Sequence, residues 1–148
     1  MDPVSAFGVV SGGVQVVQAI ASTIHGLNQL YGKFKDADLT IQSLIQELSC
    51  INTALTSLKE WTRLNSNNGL QSEEYSRDLA VAMEGCRVIM EVVSHDVSTL
   101  VQSSRDDGFA GFHTRIRVVW KEDKMLGYQE KLHSQVMALQ LLLQVCQW

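Results

Sequence analysis

Pro3 is the only proline in this chain of 148 residues, so nothing after the third residue obliges a helix to break. Apolar residues then recur at alternating steps of three and four, the period of an amphipathic helix. Ile41, Leu44, Ile45, Leu48, Ile51, Leu55, Leu58 and Trp61 make one such stripe. Leu79, Met83, Cys86, Met90 or Ile89, Val93, Val97 and Leu100 make a second. Leu132, Val136, Leu139, Leu143 and Cys146 make a third, preceded slightly out of phase by Ile116, Val119 and Trp120. The valine runs fit the helical period as well, and no strand pattern rises above it.

Turn chemistry separates the stripes. Gly32-Lys33-Phe34-Lys35-Asp36 supplies a glycine stop, Asn65-Ser66-Asn67-Asn68-Gly69 a turn cluster, and Asp106-Asp107-Gly108 with Gly111 a further loop. Asp2 before Pro3, and Ser72 before Glu73 and Glu74, read as N-terminal caps. The spacing predicts helices over about 3–31, 38–64, 72–103 and 113–147, with a kink or short break in the last across 121–128, where Gly127 lies. Four amphipathic helices with short connections predict an all-α, antiparallel (up-down-up-down) four-helix bundle filling residues 1–148 as one domain. That chain length is enough for a real core.

The first predicted helix is unlike the others. Between Pro3 and Gly32 there is no Asp, Glu, Lys or Arg, and His25 is the one residue there that charges when protonated. At about 100° per residue, Phe7, Val9, Val10, Val14, Val16, Val17, Ile20, Ile24, Leu27 and Tyr31 share one arc. Ser5, Gly8, Ser11, Gly12, Gln15, Gln18, Ala19, Ser22 and Gly26 share the other, which is small and neutral where a solvated face usually carries Lys and Glu. Gly8, Gly12 and Gly13 each weaken a helix by roughly 0.8–1 kcal/mol against Ala, which calls for a close approach of something. Two readings stand side by side. Either this is a core helix packed on both sides, or it leaves the bundle, enters a membrane and self-associates through Gly8-x-x-x-Gly12. On the second reading Phe7, Gly8, Val10, Gly12, Val14, Val17 and Ile24 are the membrane and oligomerisation residues. Only about 12 of the 21 positions from Val4 to Ile24 are apolar, too few for a clear span.

Charge and chemistry narrow the function. A formal net charge of −4 gives no global argument for nucleic acid. Lys33 and Lys35, and separately Arg115, Arg117, Lys121 and Lys124, form local basic groups that suit anionic lipid headgroups, or alternatively are solvated helix ends. The P-loop signature is absent, and Gly8-Val9-Val10-Ser11-Gly12-Gly13 has neither a preceding strand nor a following lysine. Glu91, His95 and Asp96 have two-ligand metal spacing without a visible third partner, and no Cys-x-x-Cys occurs. Cys50, Cys86 and Cys146, odd in number, suit free thiols in a reducing compartment. The acidic Asp2 and interrupted apolar run do not suit a secretory leader. The expectation is a soluble, cytoplasmic, non-enzymatic module with no cofactor, no metal and no nucleic-acid partner.

Three stretches carry a resemblance. Met1-Asp2-Pro3-Val4-Ser5 with its small-apolar helix, the run Asp38-Leu39-Thr40-Ile41-Gln42-Ser43-Leu44-Ile45-Gln46-Glu47-Leu48, and Trp120-Lys121 followed by Leu132 and Leu139-Gln140-Leu141-Leu142-Leu143-Gln144-Val145 resemble the fungal N-terminal domain of STAND proteins. That group is also called HeLo-like, or the azaphilone-cluster protein L N-terminal type, and the likeness spans nearly the whole chain. It implies an N-terminal module followed by nucleotide-binding and sensor domains in an NLR-like receptor of fungal innate immunity. Its relatives are implied to be executors of cell death and heterokaryon incompatibility. On a signal the domains come together as homo-oligomers, expose helix one and are recruited to plasma-membrane lipids. Gln15 and Gln18 depart from this pattern, being polar for a segment meant to enter lipid. The alternative is a homotypic protein-interaction bundle with no membrane step.

Overall fold

The structure, a computed structural model, describes residues 3–33, 38–65, 73–106 and 121–146, with side chains from Gln15 onward except at a few helix-end positions. Those residues form four helices: α1 (Pro3–Leu30), α2 (Asp38–Asn65), α3 (Glu73–Asp106) and α4 (Glu122–Cys146). The expected bounds hold to within a residue for α1 and α2, and α3 runs three residues further than expected. α4 begins with Met125 N–H donating to the Lys121 carbonyl at 2.9 Å and continues through Gly127 without a break. The expected earlier part of the fourth helix, 113–120, and the turn clusters at 66–72 and 107–111 lie outside the described residues.

The stripes become the core. Ile41, Leu44, Leu48, Ile51, Leu55 and Leu58 of α2 are buried, as are Leu79, Met83, Cys86, Met90, Val93, Val97 and Leu100 of α3. α4 contributes Met125, Tyr128, Leu132, Val136 and Leu139, and α1 contributes Val16, Ile20, Thr23, Leu27 and Leu30. One expectation is corrected here. Tyr31 shares the apolar arc of α1 in the sequence pattern, yet it is 47% exposed while Leu30 is buried. The helix ends at Leu30, and Gly32 takes the left-handed conformation (φ +85°) that commonly closes a helix. Tyr31 is thereby turned outward, where its hydroxyl accepts from Gln42 Nε2 at 2.9 Å.

The packing order does not follow the chain order. α1 packs chiefly on α3 and α2 chiefly on α4, with α1–α2 and α3–α4 contacts closing the ring. α2 and α3 lie across the bundle and meet at one end, where the Trp61 and Tyr75 rings sit 5.0 Å apart. Residue pairs give the directions. Gly26 lies against Val97 and Val101, Gln29 meets Arg105 and Lys33 meets Ser104, so α1 and α3 run side by side in the same sense. Asp96 meets Tyr128 and Cys86 meets Gln135, so α3 and α4 run oppositely.

Candidate functional site

The two parts of the sequence that pointed to function, the uncharged first helix and the basic groups, are positioned by different contacts. From Gln15 on, α1 is an integral member of the bundle. Val17, Ala19 and Ile24 are half-buried against the core, and Thr23 satisfies its buried hydroxyl by donating to the Ala19 carbonyl at 2.7 Å. Val17 and Ile24, two of the predicted membrane residues, therefore face protein. The side chains of Phe7, Val10 and Val14, and the surroundings of Gly8 and Gly12, lie outside the described residues.

The small arc of α1 has a structural use at Gly26. A Cβ built there would fall 2.9 Å from Val97 Cγ1 and 3.3 Å from Val101 Cγ2. Only a glycine lets the two backbones come this close. Ala19 lies one heptad before it, and Gly12 one heptad before that, on the same line along the helix.

Polar ties fasten the far end of α1. Gly32 N–H donates to Asp38 Oδ1 at 2.8 Å, Arg105 Nη2 donates to Gln29 Oε1 at 3.1 Å, and Lys33 Nζ reaches Ser104 Oγ at 3.5 Å. All three are exposed. Exchanging such bonds for water costs little, since a typical hydrogen bond nets only about 0.5–1.5 kcal/mol.

The basic residues divide. Lys33, Lys121 and Lys124 stand at the same end of the bundle, where α1 and α3 finish and α2 and α4 start. Lys33 and Lys121 are exposed there. Lys124 is committed elsewhere: its Nζ lies 3.0 Å from Asp96 Oδ2 and 5.8 Å from the centre of the Tyr128 ring. Lys35, Arg115 and Arg117 lie outside the described residues.

Asp96 is the charged residue that the fold buries among those described. Tyr128 donates to Asp96 Oδ2 at 2.7 Å, so the carboxylate holds one neutral and one cationic donor from the first two turns of α4. The hydrogen bond to Asp96, then that to Tyr128, raises the Lys124 pKa. Burial, then the bond to Asp96, raises that of Tyr128. Sequence reasoning missed this trio. Its signal was the spacing Lys124-x-x-x-Tyr128, one helical turn, opposite an acid flanked by the core residues Val93 and Val97.

The same contacts dissolve the metal pattern on α3. Asp96 turns inward to α4, Glu91 pairs with Arg87 at 3.2 Å, and His95 is exposed. Cys86 is fully buried, and burial pushes its thiol up to about 11, a poor nucleophile. His25 bonds Gln29 on its own helix, and His113 lies outside the described residues.

Among the described residues, two shallow grooves run along the seam between α2 and α4. One, of about 340 Å³, holds the exposed Cys50 between Gln46, Thr53 and Leu143. The other, of about 640 Å³, gathers Glu47, Glu130, His133 and Ser134. His133 Nδ1 lies 3.1 Å from Glu47 Oε1, but Ser134 donates its hydroxyl to the Glu130 carbonyl of its own helix. The serine and histidine are sequence neighbours that serve separate partners. Neither groove presents a nucleophile beside its base.

These features define an all-α four-helix domain whose distinguishing elements are an uncharged helix and a buried acid clamp. Comparison with family models, curated proteins and solved structures returns no match.

Proposed function

We propose that this domain is a non-enzymatic signalling module, the N-terminal effector of a larger STAND-type, NLR-like receptor. Its up-down-up-down bundle stores helix one until self-association with like domains presents it to the plasma membrane, leading to cell death. The observation that carries this reading is α1 itself. It has no Asp, Glu, Lys or Arg from Pro3 to Gly32, and it occupies a corner of the bundle, packing on α2 and α3. Exposed polar ties, rather than buried ones, hold its end. Lys33 and Lys121 at that end suit anionic headgroups.

Among the described residues no helix is long and apolar enough to cross a membrane. The contact proposed is membrane association through the apolar arc of α1. Flotation with anionic vesicles tests it, using the domain fused to an oligomerising tag. Wild type should float, and Val10→Asp or Val14→Asp should remain at the bottom. Equal flotation of all three, or none by the oligomerised wild type, removes the proposal. The second reading, an interaction bundle without a membrane step, is favoured by Met137, Leu141 and Val145, large apolar side chains exposed on the outward face of α4.

A further inference from the structure

Gln29 is held from both sides. Its Oε1 accepts from Arg105 Nη2 of α3 at 3.1 Å, and its Nε2 lies 2.8 Å from His25 Nε2, one turn back on α1. A guanidinium carries donors alone, so the atom that Gln29 turns to Arg105 must be its oxygen. That leaves the amide nitrogen for His25, and an amide nitrogen only donates. His25 Nε2 is therefore the acceptor, and its ring is the neutral form with the proton on Nδ1. Donation runs one way along the three side chains, from Arg105 to Gln29 to His25, and each link fixes the next.

We propose that this relay is a proton-sensitive tie: protonating His25 turns the Gln29 amide over and releases Arg105, loosening the end of α1 from α3. An imidazolium has a donor on each nitrogen and no acceptor. Gln29 Nε2 then faces a second donor, and the 2.8 Å contact cannot persist. Two cations on opposite sides of one amide compete for its single oxygen. His25 sits four residues away on the same helix, whereas Arg105 must keep a long side chain extended between helices, at a greater loss of rotamer freedom. The oxygen goes to His25, and the amide nitrogen left facing Arg105 sets donor against donor. Imidazoles change charge between about pH 5 and 8, so the tie is complete on the alkaline side and is lost as the pH falls. Other charged groups among the described residues are engaged elsewhere or face water. α1 has no Asp, Glu, Lys or Arg, and Lys33 just beyond it reaches Ser104. On α3, Glu91 pairs with Arg87, Asp96 turns to α4 and His95 is exposed. On α2, Asp38 accepts from Gly32 N–H and Glu47 meets His133 of α4. The relay rests on the proposed function only for its purpose: an anionic membrane surface at about −30 mV concentrates protons about threefold, loosening helix one where it is needed.

Two-dimensional NMR of the 148-residue protein between about pH 8 and 5 reads the relay atom by atom. In the wild type the Gln29 side-chain amide and Arg105 Nε–H signals should move together with the His25 ring. Backbone hydrogen exchange in the last turn of α1, corrected for the intrinsic effect of pH, should show opening about two- to fivefold more frequent at the acid end. A local readout is needed because a proton on His133 strengthens its contact with Glu47, so whole-domain stability mixes two effects of opposite sign. His25→Gln keeps an acceptor that does not titrate, and both responses should vanish. Arg105→Met removes the donor, so opening should be raised equally at both ends of the range while Gln29 still follows His25. Both side chains are exposed, and neither variant disturbs the core. An Arg105 signal that stays put while His25 titrates, a response unchanged in His25→Gln, or an acid-driven opening that survives Arg105→Met overturns the proposal. No lipid is present, so any of these leaves the flotation test standing.

Discussion

Adding one methyl group at position 26 sets helix propensity against packing, and the structure says which wins. Gly26→Ala gains about 0.8–1 kcal/mol of helix stability in isolation. In the bundle its Cβ would stand 2.9 Å from Val97 Cγ1 and 3.3 Å from Val101 Cγ2. Carbon pairs prefer about 3.5–4.0 Å, and a valine methyl on a stiff β-branched side chain has little room to withdraw. Overpacking of this kind costs about 1–3 kcal/mol. The net effect is a destabilisation of up to about 2 kcal/mol, a fall in melting temperature of some 2–4 °C per kcal/mol for a domain of this size. Val97→Ala alone loses two buried methyl groups and leaves a cavity, about 2 kcal/mol. Together the two changes should cost at least about 1 kcal/mol less than their sum, because the new methyl fills the space left by the old. Gly85→Ala is the matched control. Its Cβ would meet the Gln135 amide at 2.8 Å, the far end of a flexible side chain that can swing away. That variant should be neutral or stabilised. Urea melts followed by far-UV circular dichroism measure all four proteins. If Gly26→Ala gains its full propensity and shows no coupling to Val97, the close α1–α3 approach described above is wrong.

Tyr128→Phe strips a buried donor from Asp96 and should cost about 1–2 kcal/mol. Lys124→Met, whose ammonium is half-exposed, should cost about 1 kcal/mol, and equal stability of both variants with wild type in urea would refute the clamp. Raising the pH should weaken the fold on its alkaline side. The Cys86 thiol is lifted from 9.0 to about 11 by burial, so its contribution is complete below 9 and disappears as the pH climbs to 11. That loss is about 2–3 kcal/mol, and Cys86→Ala should flatten this part of the pH curve of urea midpoints. Tyr128, also shifted upward, adds a slope of the same sign. A disulfide reagent should modify the exposed Cys50 at once and Cys86 only at the rate of unfolding. Fast labelling of Cys86 would show that its site opens readily.

The core was legible because its signal is periodic. Residues such as Leu48, Ile51 and Leu55 repeat at the helix period, and burial follows the repeat. The end of α1 was misread by one residue: Leu30 and Tyr31 are both large and apolar, and only the left-handed Gly32 decides which turns inward. The order of packing was not legible. It depends on which neighbour takes the small arc of α1, and Gly26 offers the same invitation to any helix. The acid clamp was hidden for a related reason. Asp96 was read with its sequence neighbours Glu91 and His95, and Lys124 with nearby cations, whereas their partners come from another helix. Side-chain chemistry along one helix is visible in sequence, and chemistry between helices waits on the packing.

Running two neighbours in the same sense has an electrical consequence. At the end where Lys33 stands, the carbonyl-terminated ends of α1 and α3 are side by side, and the amide-terminated starts of α2 and α4 are likewise near each other. Each helix end carries about half an elementary charge, negative at the carbonyl end. In a checkerboard these would cancel between neighbours, but here they add into one negative and one positive edge. The side chains answer in part: Lys33 and Arg105 reach across the negative edge and Asp38 and Asp123 sit on the positive one, but Lys121 and Lys124 also stand at the positive start of α4. This end of the domain is a small dipole laid crosswise to the bundle, and a charged surface approaching it will meet the two halves differently.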